Sequence, residues 1–175
     1  MIVVAIIGVL AVIAGTAYRK YADRARASEV YAMFGEIRAK QEAYRAENSV
    51  YCATSATTTA TCASGNEDTF FPALLASGEP KAKVWTGAPA GWTLLGLNPG
   101  RSQLYCGYVA VAGGPNSTDW GNAGTRGKAL YANTQPTTPW WYMSAACDND
   151  GNSTTNTTYT SAMNTSSVVV INEGR

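Results

Sequence analysis

The chain predicts an α+β fold, with one long N-terminal helix ahead of a β-rich body, and three observations predict it. An uncharged apolar run, MIVVAIIGVLAVIAGTAY over residues 1–18, continues without a break into a charged segment that keeps helical periodicity to about residue 50. Residues 51–91 are dense in turn and breaker residues, among them Gly65, Pro72, Gly78, Pro80, Gly87 and Pro89. After them come four strand-like runs, Trp92–Leu97, Leu104–Val111, Trp140–Ala146 and Ser167–Ile171. Helix first and strands after is an order suited to segregated α and β layers. The organisation expected is an apolar half-helix (1–18), an amphipathic half-helix (19–50), a stapled loop region (51–91) and a sheet with a C-terminal loop (92–175).

The first half-helix carries nine large aliphatic residues: Ile2, Val3, Val4, Ile6, Ile7, Val9, Leu10, Val12 and Ile13. Each favours insertion into lipid, together by roughly 3 to 5 kcal/mol. At ~1.5 Å per residue the run falls somewhat short of a ~30 Å hydrocarbon core, so residues preceding Met1 are expected to complete the span. A cleaved secretory signal would need a basic start and a small-residue cleavage site, and neither is present. From Ser28 onward Val30, Met33, Phe34, Ile37, Gln41 and Tyr44 recur at three- and four-residue intervals and define one sticky face. Arg26, Glu29, Glu36, Arg38, Lys40, Glu42 and Arg45 are expected on a solvated face opposite it, with i,i+4 pairs worth a few tenths of a kcal/mol.

Within the body only Pro72–Ser77 suggests a short helix, and NPGRSQ over residues 98–103 suggests a hairpin connection. Alternation in the second strand sends Tyr105, Gly107, Val109 and Val111 to one face and Leu104, Cys106, Tyr108 and Ala110 to the other. Both faces are apolar enough to cover the helix, so periodicity leaves the choice open.

Only 14% of the residues are charged and the formal net charge is +1, which gives no argument for nucleic-acid binding by bulk attraction. The length of 175 residues suits one body with one core. The four cysteines, Cys52, Cys62, Cys106 and Cys147, allow three pairings. With no Cys-x-x-Cys and no histidine, zinc is disfavoured and disulfides in an oxidising compartment are expected. The expected pairs are Cys52 with Cys62, stapling the Thr-rich loop, and Cys106 with Cys147, joining two strands. The chain-entropy relation makes them worth roughly 3 and roughly 4 kcal/mol.

MIVVAIIGVLAVIA, followed by AYRKYADRARASE and QEAYRAENSVY, resembles the N-terminal helix of type IV pilins and of the pseudopilins of type II secretion, over the first 51 residues. TPWWYMSAACDNDGN and INEGR resemble, less specifically, the C-terminal half of some pilins. The resemblance implies a lollipop whose amphipathic half-helix packs on a four-stranded antiparallel sheet, and an assembly whose membrane-inserting apolar halves, Met1 included, bundle into a filament core. It also implies an inner-membrane precursor pool, a pilus assembly machinery as partner, and copies of the chain itself as the main partner. The family's leader, cleavage site, methylated phenylalanine and nearby glutamate would lie upstream of Met1. Where the family usually has a helix-softening proline this chain has Thr16 after Gly15; with Gly8 these form the expected soft spot, since glycine costs ~1 kcal/mol in a helix interior. Arg19, Lys20, Asp23, Arg24 and Arg26 are the candidates for charge pairing between subunits. Read alone, the basic residues after the apolar run would hold the body inside; the cysteines and the family's basic leader favour an exported body.

Asp148, Asp150 and Asn152 alternate as oxygen ligands for Ca²⁺ do, and some pilins and pseudopilins bind calcium in a C-terminal loop. The spacing is not that of an EF-hand, and a plain Asp/Asn turn is the competing reading. Trp120, Trp140 and Trp141 sit among Gly, Asn and Thr as sugar platforms do, although alternation sends Trp140 and Trp141 to opposite faces and so at least one into the core. Asn116, Asn152, Asn156 and Asn164 stand in N-x-Ser/Thr patterns. No histidine, carboxylate pair or phosphate loop supports catalysis.

The sequence therefore points to a structural pilus subunit for motility, adhesion or DNA uptake. The alternative is a minor pilin or pseudopilin acting as an anchored binding or secretion module; external ligands, DNA or surfaces among them, are not identified by any residue. If charges near Arg19–Arg26 pair between subunits, Asp23→Ala is expected to reduce fibre yield more than the melting temperature of the body; unchanged yield of sheared fibres would count against the pairing.

Overall fold

A computed structural model describes residues 2–54, 62, 66–74, 82–148 and 156–172, without the side chains of Ala5, Thr16, Arg19, Lys20 and Asp23. Helix α1 (Ile2–Asn48) runs continuously through both half-helices. It ends on a left-handed Ser49 whose N–H donates to the Arg45 carbonyl at 2.8 Å, the single-bond form of a left-handed helix stop. Among the described residues no helix is long and apolar enough to cross a membrane; in α1 the aliphatic run gives way to Arg19 and Lys20.

The body is a four-stranded antiparallel sheet in the order β3-β4-β5-β6, with β3 at Cys106–Gly113, β4 at Trp140–Cys147, β5 at Thr157–Ala162 and β6 at Val169–Ile171. A separate ribbon pairs β1 (Lys83–Val84) with β2 (Gln103–Leu104). The face of β3 that carries Tyr108 and Ala110 covers the helix. There Val30, Met33, Phe34 and Ile37 of α1 pack with Trp141, Met143 and Tyr159. On the opposite face Val109, Val111, Trp140 and Tyr142 form a second core under the half-buried Phe70, Trp120, Leu130 and Tyr131. Covering on both sides explains why the alternation of β3 is apolar throughout. Trp140 and Trp141 are both fully buried, one in each core, and Trp120 meets Trp140 edge-on at 5.5 Å, so these rings build cores rather than an exposed sugar platform.

Several local expectations are corrected. Trp92–Leu97 is not a strand: helix α2 (Ala90–Leu94) occupies its first half. Gly96, at φ 61°, stops that helix with Leu97 N–H bonded to the Trp92 carbonyl and its own N–H to that of Thr93, a paired glycine stop that apolar periodicity cannot reveal. Residues 98–103 accordingly follow a helix and are not a tight hairpin. Leu104–Val111 is split at Tyr105 into β2 and β3. Of the expected helix over Pro72–Ser77, residues 72–74 are not helical and residues 75–77 lie outside those described. The fourth strand is instead β5, TTYTSA, a hydroxyl-rich segment outside all four expected strands and internal to the sheet.

Helices α3 (Ser117–Asn122) and α4 (Thr125–Leu130) cover the outer face. Asn116 caps α3, accepting from the Asp119 N–H at 2.8 Å and donating to its carboxylate, so this side-chain amide serves the fold. Helix α4 lacks a side-chain cap of its own. The buried Glu67 carboxylate supplies one, accepting from the N–H of Arg126 at 3.1 Å and of Gly127 at 3.4 Å, while the Tyr142 hydroxyl donates to it at 3.3 Å. Gly127 lies so close to the Tyr142 ring that a Cβ would overlap it.

Both disulfides are present, Cys52–Cys62 and Cys106–Cys147. The second joins directly facing residues at one end of the β3–β4 ladder. The first lies beside Gln41, a wholly buried amide that accepts from the Cys52 N–H at 3.0 Å and donates to the Cys52 carbonyl. Chain leaving α1 is thus fixed against the helix by two hydrogen bonds, and the disulfide ties that fixed point to Cys62.

Burial pushes the phenols of Tyr108, Tyr131 and Tyr142 well above their usual range, with Glu29 adding to the rise at Tyr108. The folded state therefore holds these protons where an unfolded chain, with tyrosine near 10, gives them up. Their stabilising contribution is complete below that pH and is lost progressively as pH rises from there through the raised folded-state values. Lys83, whose ammonium burial pushes down, acts oppositely below its ordinary pKa. The melting temperature is expected to fall as pH rises beyond about 10, and Tyr108→Phe is expected to flatten that fall. An equally steep fall in the variant, followed by circular dichroism, would exclude Tyr108 as a contributor.

Candidate assembly helix

The body engages α1 only along its second half. Every described side chain from Ile2 to Ala17, then Tyr18 and Tyr21, is exposed, whereas Val30, Met33, Phe34, Ile37 and Gln41 are buried. Twenty residues of helix at ~1.5 Å each project roughly 30 Å beyond the packed part. The projecting stretch carries the nine aliphatic side chains from Ile2 to Ile13, exposed by 54–77%. At ~1.5 to 3 kcal/mol for each fully buried side chain, covering them is worth on the order of 10 kcal/mol. A contiguous apolar surface of that size is rare on a monomer and marks an interaction surface. Gly8 and Gly15 are exposed, with nothing near the position a Cβ would take; the side chains of Met1 and Thr16 are outside the described set.

The expected charge candidates do not share one fate. Arg24 is exposed. Arg26 turns back on its own body, its guanidinium 5.3 Å from the centre of the Tyr105 ring. For Arg19, Lys20 and Asp23 only the helical backbone is described. Asp148 is buried at the end of β4, where its charge and that of Glu29 act on Lys83; Asp150 and Asn152 lie outside the described residues. Among the described residues no group of three His, Cys, Asp or Glu side chains is placed to hold a metal ion.

Two members of the supposedly solvated face fasten helix to sheet instead. Glu29, only 8% exposed, accepts from the backbone N–H of Tyr105 at 3.1 Å, the N–H of Cys106 at 3.3 Å and the Tyr108 hydroxyl at 2.8 Å. Its carboxylate takes up the N–H groups at the point where β2 gives way to β3, which accounts for the broken strand. Arg38 donates to the Ser161 hydroxyl at 3.2 Å and to the carbonyls of Ala162 at 3.1 Å and Thr165 at 2.9 Å, with its guanidinium 5.3 Å from the Trp141 ring centre. The missed signal is spacing: Glu29 stands four residues before Met33 and Arg38 four after Phe34, so both border the apolar stripe. This anchoring aims α1 and leaves its described side chains from Ile2 to Tyr18 exposed.

Replacing Ile7 and Leu10 together by Asp is expected to cut self-association of the detergent-solubilised chain at least about tenfold, with the body's unfolding midpoint unchanged. Sedimentation and thermal melting read the two effects; undiminished association in the variant would remove the apolar stretch from the interface. No family model, curated protein or solved structure matches this chain.

Proposed function

We propose that the chain is the structural subunit of a type IV pilus, polymerising through its N-terminal helix into an extracellular filament for motility, adhesion or DNA uptake. One observation carries the reading: the aliphatic surface from Ile2 to Ile13 stands clear of the body on a helix that is otherwise firmly packed. In a filament the apolar half-helices cover one another at the axis, and the burial that the isolated chain lacks is recovered between copies. Before assembly the same half-helix is held in the lipid of the inner membrane, where the assembly machinery collects it. The two disulfides suit an oxidising compartment and brace an exported body. The role is structural rather than catalytic.

The test is to shear intact cells, image the released material by electron cryo-microscopy and identify its subunit by mass spectrometry. Thin fibres made mainly of this chain, with residues 2–13 at the axis, are the expected result. Retention of the chain in the envelope, or its presence only in traces, would overturn the major-subunit reading in favour of a minor pilin or secretion pseudopilin.

A further inference from the structure

Between α1 and the chain at residues 99–104 lies a small open cleft of about 150 Å³. Met33 and Leu104, both nearly inaccessible, line its apolar part, Glu29 and Glu36 line it from the helix, and Pro99 and Arg101 line the opposite side. Glu29 is committed to the Tyr105, Cys106 and Tyr108 donors. Glu36 is half-buried and its carboxylate makes no hydrogen bond or ion pair among the described residues. Arg101 and the buried Lys83 stand at the Glu29 end, so Glu36 is the carboxylate of the lining left to a visitor; beside the apolar wall of Met33 and Leu104 it suits the alkyl stem and charged head of an arginine.

The complementary group is on the same molecule but out of its own reach. Arg24 is exposed and its guanidinium likewise makes no hydrogen bond or ion pair among the described residues. It lies twelve residues before Glu36 on one continuous helix, hence roughly 18 Å away along the axis and about 120° around it. A copy in parallel orientation, displaced by that length, brings its Arg24 to the height of this cleft. Because donor and receptor are on different faces at different heights, the contact is head-to-tail, and such a contact propagates into an open helical array rather than closing a dimer.

We infer that the cleft lined by Glu29 and Glu36 is the receptor for Arg24 of a neighbouring copy of this chain in the filament, an inference that rests on the pilus reading above. The apolar half-helices provide the bulk of the cohesion, and the Arg24–Glu36 pair sets the stagger between neighbours, as charge complementarity sets register in other interfaces.

The test uses the full-length chain expressed in its own pilus-forming cells. Glu36→Arg and Arg24→Glu are each expected to lower the yield of sheared filaments about tenfold or more, and the double exchange to bring it back to within about threefold of the starting chain. Thermal melting of each variant checks that the body still folds. As a measurement independent of yield, Arg24→Cys combined with Glu36→Cys is expected to give a ladder of disulfide-linked multimers in sheared filaments, absent when only one cysteine is introduced. Filaments at full yield from Glu36→Arg, or a double exchange no better than the single ones together with no ladder, would overturn the proposal while leaving the pilus reading intact. If the unaltered chain forms no filament at all, both fall together.

Discussion

The buried carboxylate of Glu29 ties the helix to the sheet where the start of β3 would otherwise present unfilled backbone donors. Strand β3 is an edge strand, and buried N–H and C=O groups along an edge need partners. Glu29 takes the Cys106 N–H, Phe71 exchanges two backbone hydrogen bonds with Tyr108, and Thr54 bonds both the N–H and the carbonyl of Ala110. The helix, the chain just after it and the segment around Phe71 thus converge on the edge-facing backbone groups of alternate residues of one strand, Cys106, Tyr108 and Ala110. Removing the carboxylate would expose no new apolar surface, yet it would leave backbone donors unsatisfied where water has little access, at about 1 to 3 kcal/mol each.

The same economy governs the rest of the body. Glu67 caps a helix far away in sequence, Gln41 holds the backbone of Cys52, and Arg38 gathers carbonyls at the end of β5. In each of these three places a polar side chain that the fold draws in satisfies backbone groups distant in sequence or beyond the end of an element. Disulfides then fasten the two places where a strand end and a loop would fray, Cys147 and Cys52.

For function the consequence is a division of labour within α1. Its second half is consumed by the fold, with apolar side chains inward and even some of its charges engaged. Its first half receives no cover from the body, and the rigidity of the anchored half fixes the direction in which that surface is offered. A surface aimed in this way favours partners that approach in parallel, which is the arrangement a helical filament needs.

The long helix, its two-part character, the sticky face through Val30, Phe34 and Ile37, the β4 strand and the oxidised cysteines were legible in the sequence, because each rests on local periodicity or on composition. The exposed apolar surface was legible for the same reason: with nine large aliphatic residues among the twelve from Ile2 to Ile13, the helix has no polar face to turn outward there. What only the tertiary structure decided are the features set by neighbours distant in sequence. Glu29 and Arg38 look like solvated charges until the sheet is laid against them. TTYTSA lies outside every expected strand until β4 and β6 take up its backbone groups on both sides. Trp92–Leu97 reads as a strand until Gly96 closes a helix. The choice of which face of β3 meets α1 also belongs to the tertiary structure, since a second layer of α3 and α4 makes both faces apolar and removes the pattern by which one could be told from the other.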